Sequence, residues 1–79
     1  MQKPSLGRVV HTYVNPTENN GSEVAPATIV RVWSDTMVNL SVTLDGSYGP
    51  LHKTSVTLLD EQPDRSVSSG HTCWWPPRV

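Results

Sequence analysis

Met37-Val38-Asn39-Leu40-Ser41-Val42-Thr43-Leu44-Asp45 decides the fold class. Val38, Leu40, Val42 and Leu44 alternate with Asn39, Ser41 and Thr43, a period of two that gives a strand with one apolar face. Asp45-Gly46 opens a tight turn that Ser47-Tyr48-Gly49-Pro50 completes. Beyond it, Leu51 to Leu59 reads as another strand, and Ser34-Asp35-Thr36 turns the chain before Met37. Upstream, Ala27 to Trp33 (ATIVRVW) and Gly7 to Val14 (GRVVHTYV) are rich in β-branched residues and read as strands. A short last strand spans Thr72 to Trp75 and is stopped by Pro76-Pro77, which remove two ladder donors.

Helix capping boxes and 3.6-residue apolar stripes are missing. The segments 15–26 and 60–70 are polar loops full of turn formers. The expectation is therefore an all-β chain, residues 1–79 forming one domain: a small SH3-like antiparallel barrel or sandwich of about five strands.

A chain of 79 residues buries only roughly 60–65% of its unfolded surface, so its core is marginal. Small domains offset this with disulfides, metals or self-association. Cys73 is the single cysteine and has no internal partner. His11, His52, His71 and Cys73 are too scattered for a recognised zinc spacing, so no metal or other cofactor is expected. Self-association remains, and a homo-oligomer is expected.

Six Lys/Arg stand against seven Asp/Glu, for a formal charge of −1, and no basic run appears. Binding a long polyanion requires clustered cations, so long nucleic acid is not the expected partner. A small anion held by one or two arginines fits better. No apolar stretch matches a signal peptide or a membrane span, so the sequence reads as a cytosolic protein.

The chain has five aromatics: Tyr13, Trp33, Tyr48, Trp74 and Trp75. Neighbouring residues of an extended segment point to opposite faces, so Trp74 and Trp75 are not expected to enter one core together. One of them is expected to face a ligand, a second subunit or solvent. Val9, His11 and Tyr13 share one face of the first strand, suiting either a pocket lining or an ordinary sheet edge. Arg31 lies between Val30 and Val32, on the face of Ile29 and Trp33, where it either snorkels or stacks on Trp33. Arg8, Arg31 and Arg78 each offer a planar fork for phosphate. The candidate ligand-binding set is His11, Tyr13, Trp33, Trp74, Trp75 and Arg78, with Arg8 and Arg31 as phosphate ligands. A catalytic pair of Cys73 with His71 has no evident oxyanion donors or orienting carboxylate, so no enzyme activity is expected.

Gly7-Arg8-Val9-Val10-His11-Thr12-Tyr13, Ile29-Val30-Arg31-Val32-Trp33 and Thr72-Cys73-Trp74-Trp75-Pro76-Pro77-Arg78-Val79 together resemble a group of small tailed-phage proteins. Those proteins typically begin with a Gly-Arg-Ile-Val-His-Tyr type strand and end in a Gly-Thr-Trp-His-Trp-Pro type motif. The chain departs from the pattern at Cys73-Trp74, where the group has Trp-His, and at Thr12, an extra residue before the tyrosine. In size, β content and aromatic motifs it is also similar to phage sponges, which sequester cyclic nucleotide signals such as those of CBASS defence. The resemblance implies a non-catalytic immune-evasion protein in the cytoplasm of the infected bacterial host. It also implies a homo-oligomer with a small cyclic nucleotide at its aromatic and arginine side chains. The alternative is a structural or protein-interaction module, such as a virion accessory protein or an inhibitor of a host protein, because Trp and Arg also anchor protein interfaces.

Overall fold

The computed structural model describes residues 2–46, 49–67 and 70–77. Five strands, β1 (Val9–Tyr13), β2 (Val24–Ser34), β3 (Met37–Val42), β4 (Leu51–Leu59) and β5 (Thr72–Trp74), form a closed barrel in the order β1-β2-β3-β4-β5. The all-β, SH3-like expectation matches this architecture. The second strand begins at Val24, inside the expected loop, because Tyr13 and Val24 still pair across the β1/β2 ladder. Two short 3₁₀ turns, Pro16–Glu18 and Arg65–Val67, occupy the two polar loops.

The alternation that decided the fold is kept. Val38, Leu40 and Val42 are buried, and Leu44 packs against them from the strand's end. They meet Val10 from β1 and Val14 just beyond it, Ala25, Ala27 and Ile29 from β2, Val56 and Leu58 from β4, and Cys73 and Trp75. Small alanines on β2 opposite larger aliphatics elsewhere suit the limited interior of a narrow barrel.

One ladder departs from the antiparallel expectation. β4 and β5 run parallel, pairing Thr57 with Thr72, Leu58 with Cys73 and Leu59 with Trp74. A parallel pair has to be joined by a crossover rather than a hairpin. In that connection Gln62, Pro63 and Arg65 lie over the outer face of β1. Tyr13 and Trp74 point outward beneath it, their ring centroids 4.7 Å apart at 53°. The Tyr13 hydroxyl donates to the Pro63 carbonyl at 2.6 Å and accepts from Gln62 Nε2 at 3.0 Å. Arg65 covers the tyrosine ring from 4.7 Å. This outer pair is a second core, separate from the barrel interior.

The barrel's curvature comes from irregularities at non-glycine positions. Between Val38↔Val56 and Leu40↔Lys53, two β4 residues oppose Asn39 alone, and Ser55 adopts φ 54°. Asn39 Oδ1 holds this bulge by accepting from the Ser55 N–H at 2.8 Å and from Trp33 Nε1 at 2.8 Å. The extra residue lets Val56 and Lys53 share the inward side, which strict alternation forbids. A second bulge between Ile29 and Arg31 flips the outer part of β2, leaving Val30 through Ser34 all exposed. Arg31 therefore does not share the inward face of Ile29, contrary to the sequence expectation.

Burial separates the tryptophans energetically. Trp74→Ala should cost about 3–5 kcal/mol by emptying the outer core. Trp33→Ala, at a half-exposed ring, should cost about 1 kcal/mol or less. Urea unfolding followed by circular dichroism measures both, and equal losses would contradict the two-core arrangement.

Candidate functional site

The structure divides the candidate residues among separate places. Trp74 and Trp75 do point in opposite directions, yet both are buried, at 1% and 9% exposure. The expectation that one of them is open to a ligand, subunit or solvent fails because the crossover supplies a second core on the outside. Trp74 is spent there. So is Tyr13, whose ring is packed between Trp74 and Arg65 and is not free to stack on a ligand. His11 is half-buried on the same outward face, opposite Trp74 on β5 and Pro26 on β2.

Arg31 and Trp33 lie on the exposed arm formed by the outer parts of β2 and β3. The guanidinium sits 4.1 Å from the indole centroid, the stacking expected of this pair. Leu6, Val30, Val32, Trp33 and Met37 leave this region with an exposed apolar surface. A shallow groove there is lined by Leu6, Val30, Arg31 and Val32. Tyr48 and Arg78 lie outside the described residues.

Arg8 and Trp75 are the two candidates that meet at a concave surface. The alternation of β5 continues to Trp75, which faces inward like Cys73, and Arg8, just before β1, places its guanidinium 5.3 Å from the indole centroid. Both line a cleft of about 820 Å³, whose wall continues through Val9, Trp74, Pro76 and Pro77. That volume lies within the usual range for small-molecule sites. Gln2, Asp60, Glu61 and Gln62 add polar side chains to it. Trp75 Nε1 is buried and has no hydrogen-bond partner. An orphaned buried donor costs about 1–3 kcal/mol, so this indole N–H is one the fold leaves unsatisfied.

Sequence reading missed several of these groups. Asp60 and Glu61 looked like ordinary loop carboxylates, and only the cleft gives them a setting. Lys53 was an unremarked strand residue. The Ser55 bulge turns it toward β1, where its ammonium donates to Tyr13 O at 2.6 Å, Gly70 O at 2.8 Å and Thr12 Oγ1 at 3.2 Å. Burial, and then the nearby Arg65 charge, lowers its pKa from the ordinary lysine value. With these three acceptors engaged, Lys53 ties β4 to β1 and to the crossover. Asn19, likewise unremarked, donates to Ser22 O and Val24 O and accepts from Asp45 N–H, locking two loops together.

Cys73 and His71 do not form a working pair. Cys73 is buried in the barrel while His71 is exposed, and burial pushes the thiol up to about 12. The thiolate that nucleophilic chemistry needs is therefore scarce at neutral pH. Among the described residues, no group of three or more His, Cys, Asp or Glu is placed to hold a metal ion, and no helix is long and apolar enough to cross a membrane. No protein-family model, curated protein or solved structure matches the chain.

The Cys73 shift has a measurable sign. Its folded value, about 12, lies above its ordinary value of 9.0, so the native state holds the proton more tightly in that window. The thiol's contribution is complete below about pH 9 and is lost as pH rises toward 12. Chemical unfolding at several pH values should show an alkaline loss of stability that is smaller in Cys73→Ala. The difference between the two proteins reports the thiol together with its charge coupling to Lys53.

Proposed function

We propose that the chain is a non-catalytic phage immune-evasion protein that sequesters a small cyclic nucleotide in the Arg8–Trp75 cleft. Its sequence resemblance to small phage proteins and sponges supplies the class. The observation that carries the ligand reading is the Arg8 guanidinium over Trp75 on the wall of a cleft of about 820 Å³. The indole and the side-chain oxygen of Gln2, which accepts from the guanidinium, hold Arg8 in place, and a phosphate oxygen would take over the position that the Gln2 amide fills. The Trp74-Trp75-Pro76-Pro77 wall offers an apolar surface to a base. No acid–base pair or activated nucleophile is assigned, so the ligand is held and not cleaved.

In this reading the protein works as a homo-oligomer in the host cytoplasm, with the exposed arm bearing Val30, Val32 and Trp33 as its association surface. The same apolar arm favours the second reading, a protein-interaction module directed at a host or virion protein. Trp and Arg side by side suit such an interface.

Cyclic di- and trinucleotides should raise the melting temperature in proportion to the logarithm of ligand concentration, by mass action. Arg8→Ala should weaken the binding of whichever nucleotide responds by about tenfold, as expected on losing a charge-assisted contact. Ligand released by heat should be chemically intact. Absence of any shift at high micromolar nucleotide, with the arm still capturing a partner, would establish the interaction module instead.

A further inference from the structure

β2 outruns its neighbour on one side. Its ladder with β1 ends at Val9↔Thr28, and two further bonds close that side, Ile29 N–H to Arg8 O and Gly7 N–H to Ile29 O, each 2.9 Å. The chain before them turns away, with Gly7 at φ 86° and the Arg8 N–H donating to Ser5 O at 3.3 Å. Val30 to Ser34 continue with β3 on one side, and among the described residues no strand pairs with them on the other. Alternation fixes which backbone groups this edge offers. Pro26 O accepts from the Thr43 N–H at 3.0 Å, so residues 43, 41 and 39 turn their backbone groups toward β2. Val38 lies between them and turns its own to β4, where it opposes Val56. Val32, opposite Val38, therefore turns its N–H and C=O away from β3, to the open side, while Arg31 and Ser34 stay on the β3 ladder.

Resting on the reading of this arm as the association surface, we propose that the β2 edge pairs antiparallel with the β2 edge of a second copy, about a two-fold axis at Val32. A residue that presents both a donor and an acceptor to an open edge is matched by the same residue of a two-fold copy, each N–H meeting the other C=O. Centring on Val32 sets residue 31 of one chain opposite residue 33 of the other. Arg31 then meets the partner's Trp33 in the non-hydrogen-bonded position, where side chains approach most closely. Pairing centred on Arg31 would instead oppose two guanidinium groups, which is destabilising. The segment lacks the usual guards of an exposed edge: VRVWS contains no Pro, Lys or carboxylate, and its one cation is laid over Trp33 at 4.1 Å. A second copy thus supplies both the backbone groups that Val32 needs and an aromatic face for Arg31. The bulges on either side of Arg31-Val32 bend the strand away beyond it, so the pairing stays short and stops at two chains.

The test is sedimentation velocity of the full chain from low to high micromolar concentration, where a monomer–dimer equilibrium is expected. Val32→Pro removes the edge N–H without touching the β3 ladder and should weaken the dimer about tenfold or more, with the melting curve of the monomer reporting the fold. Two cysteine variants read the register independently of that proline. Mild oxidation should join two chains of Val32→Cys, because residue 32 faces its own copy at about 5.5 Å between Cα atoms, within disulfide reach. Ser34→Cys should stay unjoined, since its two copies lie about 13 Å apart along the paired strands. Cys73 is buried in the barrel and is common to both variants. A chain that stays monomeric at every concentration would overturn this pairing and the association reading together. A dimer indifferent to Val32→Pro, or one that cross-links through Ser34→Cys as readily as through Val32→Cys, would overturn the edge pairing while leaving the chain an oligomer.

Discussion

The structure depends on closing a five-stranded barrel through a parallel pair. Antiparallel hairpins carry the chain from β1 to β4, but β5 lies parallel to β4, and a parallel neighbour is reached only by a crossover. The crossover has to be fastened to the barrel's outer surface, where residues ordinarily face water. Tyr13 and Trp74 fasten it. Their contact, the Tyr13 hydrogen bonds to Pro63 and Gln62, and the Arg65 cover make a second apolar layer on a chain too short to rely on one core. Lys53 reinforces the closure from β4 by binding carbonyls of both β1 and the crossover.

That constraint also places the candidate site. With Trp74 turned outward beneath the crossover, Trp75 turns inward, and the chain leaves the barrel at Pro76-Pro77 beside Arg8. The same crossover begins with Asp60 and Glu61. One arginine, one buried indole and two carboxylates therefore converge on one cleft because the barrel has to be shut there. The arm bearing Arg31 and Trp33 projects elsewhere, and its stack with the Asn39 hydrogen bond is a self-contained unit.

The strand order and much of the core were legible because they follow from alternation. Val38, Leu40 and Val42 announce their inward face, and Val10, Thr12 and Val14 share theirs across β1. Period-two reasoning also separated Trp74 from Trp75. It could not show that the outward face would be covered, since the cover comes from a polar loop whose packing residues, Gln62, Pro63 and Arg65, have no apolar signature. Bulges were equally silent. Ser55 takes a positive φ without being glycine, and Val30 is an unexceptional strand residue, yet these positions decide the facing of Lys53 and Arg31. The Arg8–Trp75 meeting joins residues 67 positions apart in a sequence of 79, a distance that no local pattern spans.

The three indole N–H groups differ in kind. Trp33 Nε1 is bonded to Asn39, Trp74 lies in the outer core, and Trp75 Nε1 is buried without a partner. Their resonances in a nitrogen-15 correlation spectrum are therefore three independent reporters on one molecule. On titration with cyclic di-AMP or cyclic di-GMP, the Trp75 indole signal should move to saturation and vanish from the spectrum of Trp75→Phe, while the Trp33 signal holds its position. Movement confined to Trp33, or three unmoved signals at saturating nucleotide, would contradict a ligand site built on Arg8 and Trp75.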